Sequence, residues 1–119
     1  MATSEDLKAL NLEIGKREEE GDRDWFEKIL APVFAMRRAG GALVDRGDFL
    51  DGVKRSGVRV TEDIDIEQAE VTAVARCVVS MRQPDGTWER FFNTRLFTRA
   101  DASAEWQLIG WANEPVSPA

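Results

Sequence analysis

The sequence predicts an α+β fold, with helices covering one face of a curved antiparallel sheet. Three observations predict it. Helix-period segments fall in the first half of the chain and β-branched, strand-period segments in the second. The turn signal Pro84-Asp85-Gly86 and the small polar link 100–104 join long strands through the short loops that antiparallel neighbours need. The 119 residues make a single domain, 1–119, large enough for one core and a small pocket. Helices and strands segregated in this way pack as two layers.

The spacing predicts a first helix from Ser4 to Glu20. Thr3 or Ser4 caps it, and Glu5 and Asp6 lie in its first turn, where the helix dipole favours anions. Leu7, Leu10 and Ile14 share one face, and Arg17-Glu18-Glu19-Glu20 reads as a solvated helix end. Gly21 stops this helix and Asp22 caps a second, Arg23 to Leu30, whose apolar face is Trp25, Phe26, Ile29 and Leu30 and which ends before Pro32. Val33 to Arg38 and Ala42 to Val44 form a hairpin around Ala39-Gly40-Gly41. Asp45 caps a third short helix that buries Phe49, Leu50 and Val53 and closes at Gly57. Four strands follow, 58–66, 71–82, 88–99 and 106–113.

Composition removes whole classes of chemistry. There is no histidine, no tyrosine and one cysteine, Cys77. That excludes a Ser-His-Asp triad, a Cys-His pair, an imidazole or thiolate metal site and a phenolic donor, so no metal or cofactor is expected. Catalysis would have to use Asp, Glu, Arg, Lys, Asn, an indole N–H or a lone hydroxyl. A net charge of −6 argues against nucleic acid, and no apolar run is long enough for a membrane span. The polar start, Met1-Ala2-Thr3-Ser4-Glu5-Asp6, points to a cytoplasmic protein.

The strand faces carry the functional signal. All three long C-terminal strands bear large apolar groups on both faces, whereas one helical layer covers only one. The second face calls for a homodimer, or is a mildly apolar surface of a monomer. Arg76 and Arg95 stand among apolar neighbours in mid-strand. If both point to the helix-covered side, they meet Phe91, Asn93, Ile109, Trp111 and Asn113 in a cavity. A buried guanidinium needs a partner, either an internal carboxylate or the anionic group of a ligand. The alternative places them in internal pairs or at exposed strand ends, where Arg82, Arg90 and Arg99 are also expected.

The order of elements and several short motifs resemble the nuclear transport factor 2-like superfamily, above all its small SnoaL-like and ketosteroid-isomerase-like proteins, and also the association domain of calcium/calmodulin-dependent protein kinase II. The matching pieces are Gly21-Asp22 with Trp25-Phe26 and Pro32, Leu43-Val44-Asp45 with Asp48-Phe49, Asp85-Gly86, Asn93-Thr94-Arg95-Leu96-Phe97 and Trp106-Gln107-Leu108-Ile109. The resemblance implies a cone-shaped, cystatin-like fold with a pocket inside. It implies that Arg95 points into the pocket, that Arg76 is a second pocket arginine, and that dimers form sheet to sheet through Trp106, Leu108 and Leu96. The tyrosine and histidines on which the catalytic relatives rely are absent, and Gly110 and Ala112 stand where related proteins carry a histidine pair.

Three functions remain open. The first is a pocket for a small anionic or carbonyl-containing molecule with an apolar body, bound by Arg76 and Arg95 and walled by Trp25, Phe26, Phe34, Phe91, Phe97 and Trp111. The second is an isomerase, lyase or hydrolase whose base is a carboxylate: Asp45, Asp48 or Glu62. The third is a non-catalytic dimeric assembly module.

Overall fold

A computed structural model describes residues 4–116, with the side chains of 4 and 5 excepted, so the caps expected at Thr3 or Ser4 lie outside the described residues. Helix α1 (Ser4–Glu20) is followed by α2 (Arg23–Ile29), β1 (Leu30–Arg37), β2 (Leu43–Asp45), α3 (Arg46–Asp51), β3 (Arg59–Gln68), β4 (Thr72–Arg82), β5 (Trp88–Thr98) and β6 (Gln107–Pro115). The strands form one six-stranded sheet in the order β2-β1-β6-β5-β4-β3. The last four strands are an antiparallel meander, and β1 joins its end parallel to β6.

The joint between α1 and α2 follows from two adjacent residues. Gly21 takes φ +69°, and a Cβ there would sit 2.3 Å from the backbone nitrogen of Arg55, so only glycine fits. Asp22 caps α2 by accepting from the Trp25 backbone N–H at 3.1 Å, and is itself held by Arg17 Nη1 at 2.6 Å.

Several strand ends shift by one or two residues, and two boundary differences have a physical cause. Strand β1 begins at Leu30, before Pro32. The missing N–H of Pro32 is tolerated because β1 breaks register against β6 between Leu30 and Ala35, and Pro32 faces outward. Helix α3 is closed by Gly52, whose N–H bonds Asp48 and Phe49 carbonyls, and not by Gly57. Gly57 serves a different need: a Cβ there would lie 2.2 Å from the carbonyl oxygen of Arg82.

Bulges bend the sheet around its core. One lies in β3 between Glu62 and Asp65, where Asp63 has φ 55°. Another lies in β6, where Leu96 pairs with Gly110 and Phe97 with Leu108, leaving Ile109 unpaired. The core fills the concave side. Phe26, Phe34 and Trp111 surround Phe49 with ring centroids 5.2, 5.4 and 5.8 Å away. Leu7, Ile14, Phe97 and Leu108 complete it. Such aromatic contacts add about 0.5–1.5 kcal/mol each to the area they bury.

The β6 bulge corrects one expectation. It shifts the alternation by one residue, so Trp106 and Leu108 face the core together with Trp111. Neither belongs to the outer face. That face instead exposes Trp88, Phe92 and Leu96 of β5 at 48%, 52% and 42%.

Candidate functional site

The concave side of the sheet holds a cavity of about 310 Å³ between α1, α3 and the ends of the strands. Its apolar wall is Phe49, Phe91 and Trp111, and its polar groups are Glu18, Arg38, Arg59, Asn93 and Asn113. A second lobe of about 250 Å³ shares Glu18, Arg38, Phe49 and Arg59 with it and extends to Phe26 and Lys54.

Helix α1 delivers Glu18. Leu7, Asn11, Ile14 and Glu18 recur at spacings of four, three and four, which is one stripe of a helix. Leu7, Asn11 and Ile14 are fully buried on the sheet, so Glu18 points inward as well. Its carboxylate lies 3.6 Å from Arg59 Nε, with 17% of the side chain exposed. Burial pushes the Glu18 carboxyl above the usual carboxylate range, against the opposing pull of Arg59, Arg95 and Arg38. Arg59 is anchored by bonds from its Nη1 to Ser56 Oγ at 2.6 Å and the Gly57 carbonyl at 3.1 Å. Arg38 is exposed at the end of the β1–β2 hairpin.

Beneath the cavity floor lies Arg95, completely buried. Among the described residues no carboxylate bonds it. Nη1 donates to the Asn11 side-chain oxygen at 3.0 Å and the Asn11 carbonyl at 3.3 Å, and Nη2 to Asn93 Oδ1 at 3.4 Å. Its Nε has no partner. The guanidinium stacks 4.5 Å from the Trp111 ring centroid, which supplies the π face that a desolvated cation favours. Burial lowers the Arg95 pKa, opposed by the nearby Cys77 and Glu18. Cys77 faces the same interior and its thiol is pushed up by burial, so it is a poor nucleophile.

The raised Glu18 pKa has a consequence for stability. Between the ordinary carboxylate pKa and the raised folded value, the native state holds the extra proton, so stability falls as pH rises through that window. Glu18→Gln should therefore melt at a higher temperature than the parent at about pH 7.5, with the two curves converging near about pH 4. Thermal unfolding of both proteins across that range checks it; a parent more stable than the variant at neutral pH would show that the Arg59 pair dominates.

Of the residues expected in the pocket, Phe91, Asn93, Trp111 and Asn113 line the main lobe and Phe26 lines the second. Phe34 and Phe97 are core residues. Ile109 sits at the bulge, half-buried and outside both lobes. Trp25 is half-buried against the core, edge-on to Phe26, and lines a separate surface groove. Arg76 is a correction: it pairs with Thr94 across β4 and β5, one residue out of phase with the inward pair Ala75–Arg95, and so faces outward. There its Nη2 meets Glu67 at 3.1 Å and Asp65 at 3.6 Å. Arg99 is a second correction: it is buried, stacked 4.1 Å from the Trp106 ring centroid and bonded to the Glu70 carbonyl at 2.7 Å. Asp45 is the α3 cap, accepting from the Asp48 N–H at 2.8 Å, and Asp48 and Glu62 are exposed, so none of these proposed bases reaches the cavity.

Among the described residues, no group of three or more His, Cys, Asp or Glu is placed to hold a metal ion, and no helix is long and apolar enough to cross a membrane. No protein-family model and no curated protein matches the sequence. Solved structures do match. A nuclear transport factor 2-like protein from Cytophaga hutchinsonii superposes with a TM-score of 0.85 at 12% identity, covering 98% of this chain and 100% of that one. An uncharacterized protein with a cystatin-like fold from Caulobacter vibrioides gives 0.79 at 16% identity over 97% and 90%. The CaMKII hub of S. rosetta gives 0.73 at 20% identity over 92% and 94%. With a six-stranded sheet wrapped around an enclosed core and helices closing its concave side, the chain has the nuclear transport factor 2-like, cystatin-like fold.

Proposed function

We propose that the protein binds a small organic anion with an apolar body in the concave cavity. The observation that carries this reading is the pairing of an aromatic wall with two guanidinium groups, Arg38 and Arg59, that answer to one carboxylate, Glu18. The cavity polar groups therefore leave net positive charge inside a chain of net charge −6, and an anion of a few hundred daltons or less neutralises it. Glu18, not Asp45, Asp48 or Glu62, is the carboxylate placed to exchange a proton with such a ligand.

Arg38 is the group on which to test it, since it is exposed at the hairpin end and lines both lobes of the cavity. Benzoate, phenylacetate and naphthoate should raise the melting temperature of the parent. Arg38→Gln should still fold and should weaken binding about tenfold, as expected for one charge-assisted contact. If no acid shifts the melting temperature, or if Arg38→Gln binds as the parent does, the reading fails.

A second reading concerns assembly and rests on a different observation. The convex face carries Trp88, Phe92 and Leu96 exposed on the same side of β5, the kind of apolar surface that a partner covers. One of the structural neighbours is a kinase hub. A second copy of this chain packed on that row would cover it, and would leave the concave cavity free for ligand.

A further inference from the structure

We propose that the cavity floor recognises a carboxamide or lactam edge, through Asn93 as donor and Asn113 as acceptor, so that the ligand is an amide-bearing acid. The inference rests on the ligand-binding reading above and names the chemistry at its inner end.

The orientation of Asn93 is fixed by its partners. Its side chain is 4% exposed, and its Oδ1 receives the Trp111 indole N–H at 2.6 Å and Arg95 Nη2 at 3.4 Å. Indole and guanidinium nitrogens only donate, so the carbonyl oxygen of Asn93 must face them and its NH2 must face the other way. That NH2 has one contact, to the Phe91 carbonyl at the long distance of 3.4 Å. A donor of Asn93, a residue that lines the cavity, is thus left underused.

Asn113 stands directly opposite Asn93 in the β5–β6 register and lines the same cavity. Its Oδ1 is buried and accepts no hydrogen bond. An unpaired acceptor in a poorly solvated site carries a cost that a ligand donor would remove. One strand therefore presents a fixed donor and its neighbour an unused acceptor.

The complement is an acceptor next to a donor in one plane. A primary carboxamide or a lactam has both. A carboxylate offers two acceptors and sets one against Asn113 Oδ1, while an ester offers no donor. Sites that hydrogen-bond a ligand group discriminate strongly against analogues lacking it, because their own polar groups are then left unpaired. The free acid end of the same ligand remains for Arg38 and Arg59.

Calorimetric titration of the parent tests this with meta- and para-carbamoylbenzoate, the corresponding dicarboxylates, their monomethyl esters, and benzoate. One carbamoyl isomer should bind at least about tenfold tighter than its ester and its diacid. Asn113→Leu, which removes the acceptor while keeping the volume, should bring amide and ester to equal affinity. Asn113→Ala serves the same comparison if leucine blocks the cavity, which weakened benzoate binding would reveal. Equal binding of amide, ester and diacid by the parent, with benzoate bound in an Arg38-dependent way, overturns the amide inference and leaves the anion reading standing. An amide preference that survives in Asn113→Ala also overturns it. No binding by any of the compounds, benzoate included, overturns both.

Discussion

Arg95→Met should unfold within about 1–2 kcal/mol of the parent, whereas Arg95→Ala should lose about a further 3 kcal/mol. The difference separates the volume of the side chain from its charge. The guanidinium is fully buried and, among the described residues, bonds only neutral oxygens of Asn11 and Asn93, with Nε unpaired. Burying an ion costs several kcal/mol after relaxation, and the Trp111 stack and two amide partners offset only part of that. Methionine keeps an unbranched chain of similar reach beneath Trp111 and removes the desolvation cost. It leaves the Asn11 side-chain oxygen without its donor, while Asn93 Oδ1 keeps the Trp111 N–H. Alanine makes the same polar losses and opens a hole among Ala75, Phe97 and Trp111, the setting in which large-to-small changes cost most. Urea unfolding monitored by tryptophan fluorescence gives both values, with equal slopes required for the comparison. If methionine is as damaging as alanine, the hydrogen bonds and charge of Arg95 hold the interior together, and its size is secondary.

The same residue shows how far the sequence can be read. Strand alternation placed Arg95, Phe91, Asn93 and Phe97 on one face, and the structure keeps them there. Alternation within one strand does not say which face of its neighbour matches it. That depends on register, and the pairing of Ala75 with Arg95 turns Arg76 outward to Asp65 and Glu67. The β6 bulge is a second change of phase with no strong residue signal; Gly110 beside it has no left-handed φ, and a Cβ there would meet the movable end of the Leu96 side chain at 3.3 Å. It carries Trp106 and Leu108 from the expected outer face to the core.

Glu18 was legible and the charge run hid it. Arg17-Glu18-Glu19-Glu20 has the composition of a solvated helix end, but the stripe Leu7, Asn11, Ile14, Glu18 has the period of the buried face. A polar residue that continues a buried stripe at a helix end is a better site signal than its charge alone. Arg38 and Arg59 carried no such mark. Both lie at the ends of strands, and only the curvature of the sheet brings those ends beneath the last turn of α1.

Phe92→Arg combined with Leu96→Arg should convert the protein to a monomer of 13.4 kDa, from a parent that sediments at twice that mass or more. The row is set by the two-residue period of β5, which turns Trp88, Phe92 and Leu96 away from the core. On the same face Val74 stands opposite Leu96, Leu96 overlies Gly110 of β6, the buried Val78 stands opposite Phe92, and Arg90 and Thr94 lie between the apolar residues. In the proposed assembly this convex face would meet the same face of a second copy across a two-fold axis that brings each β5 row near its partner. Two arginines per chain at the centre of that contact would place four like charges in a desolvated patch, a penalty of several kcal/mol. On the isolated subunit the same arginines project into solvent, so the melting temperature of the monomer and its Arg38-dependent acid binding should persist. Sedimentation velocity over a range of concentrations measures the first effect and calorimetry the second. A parent that remains monomeric at high concentration would mean that the patch is simply exposed surface. A variant that loses acid binding together with assembly would mean that the cavity needs the second copy to hold its shape.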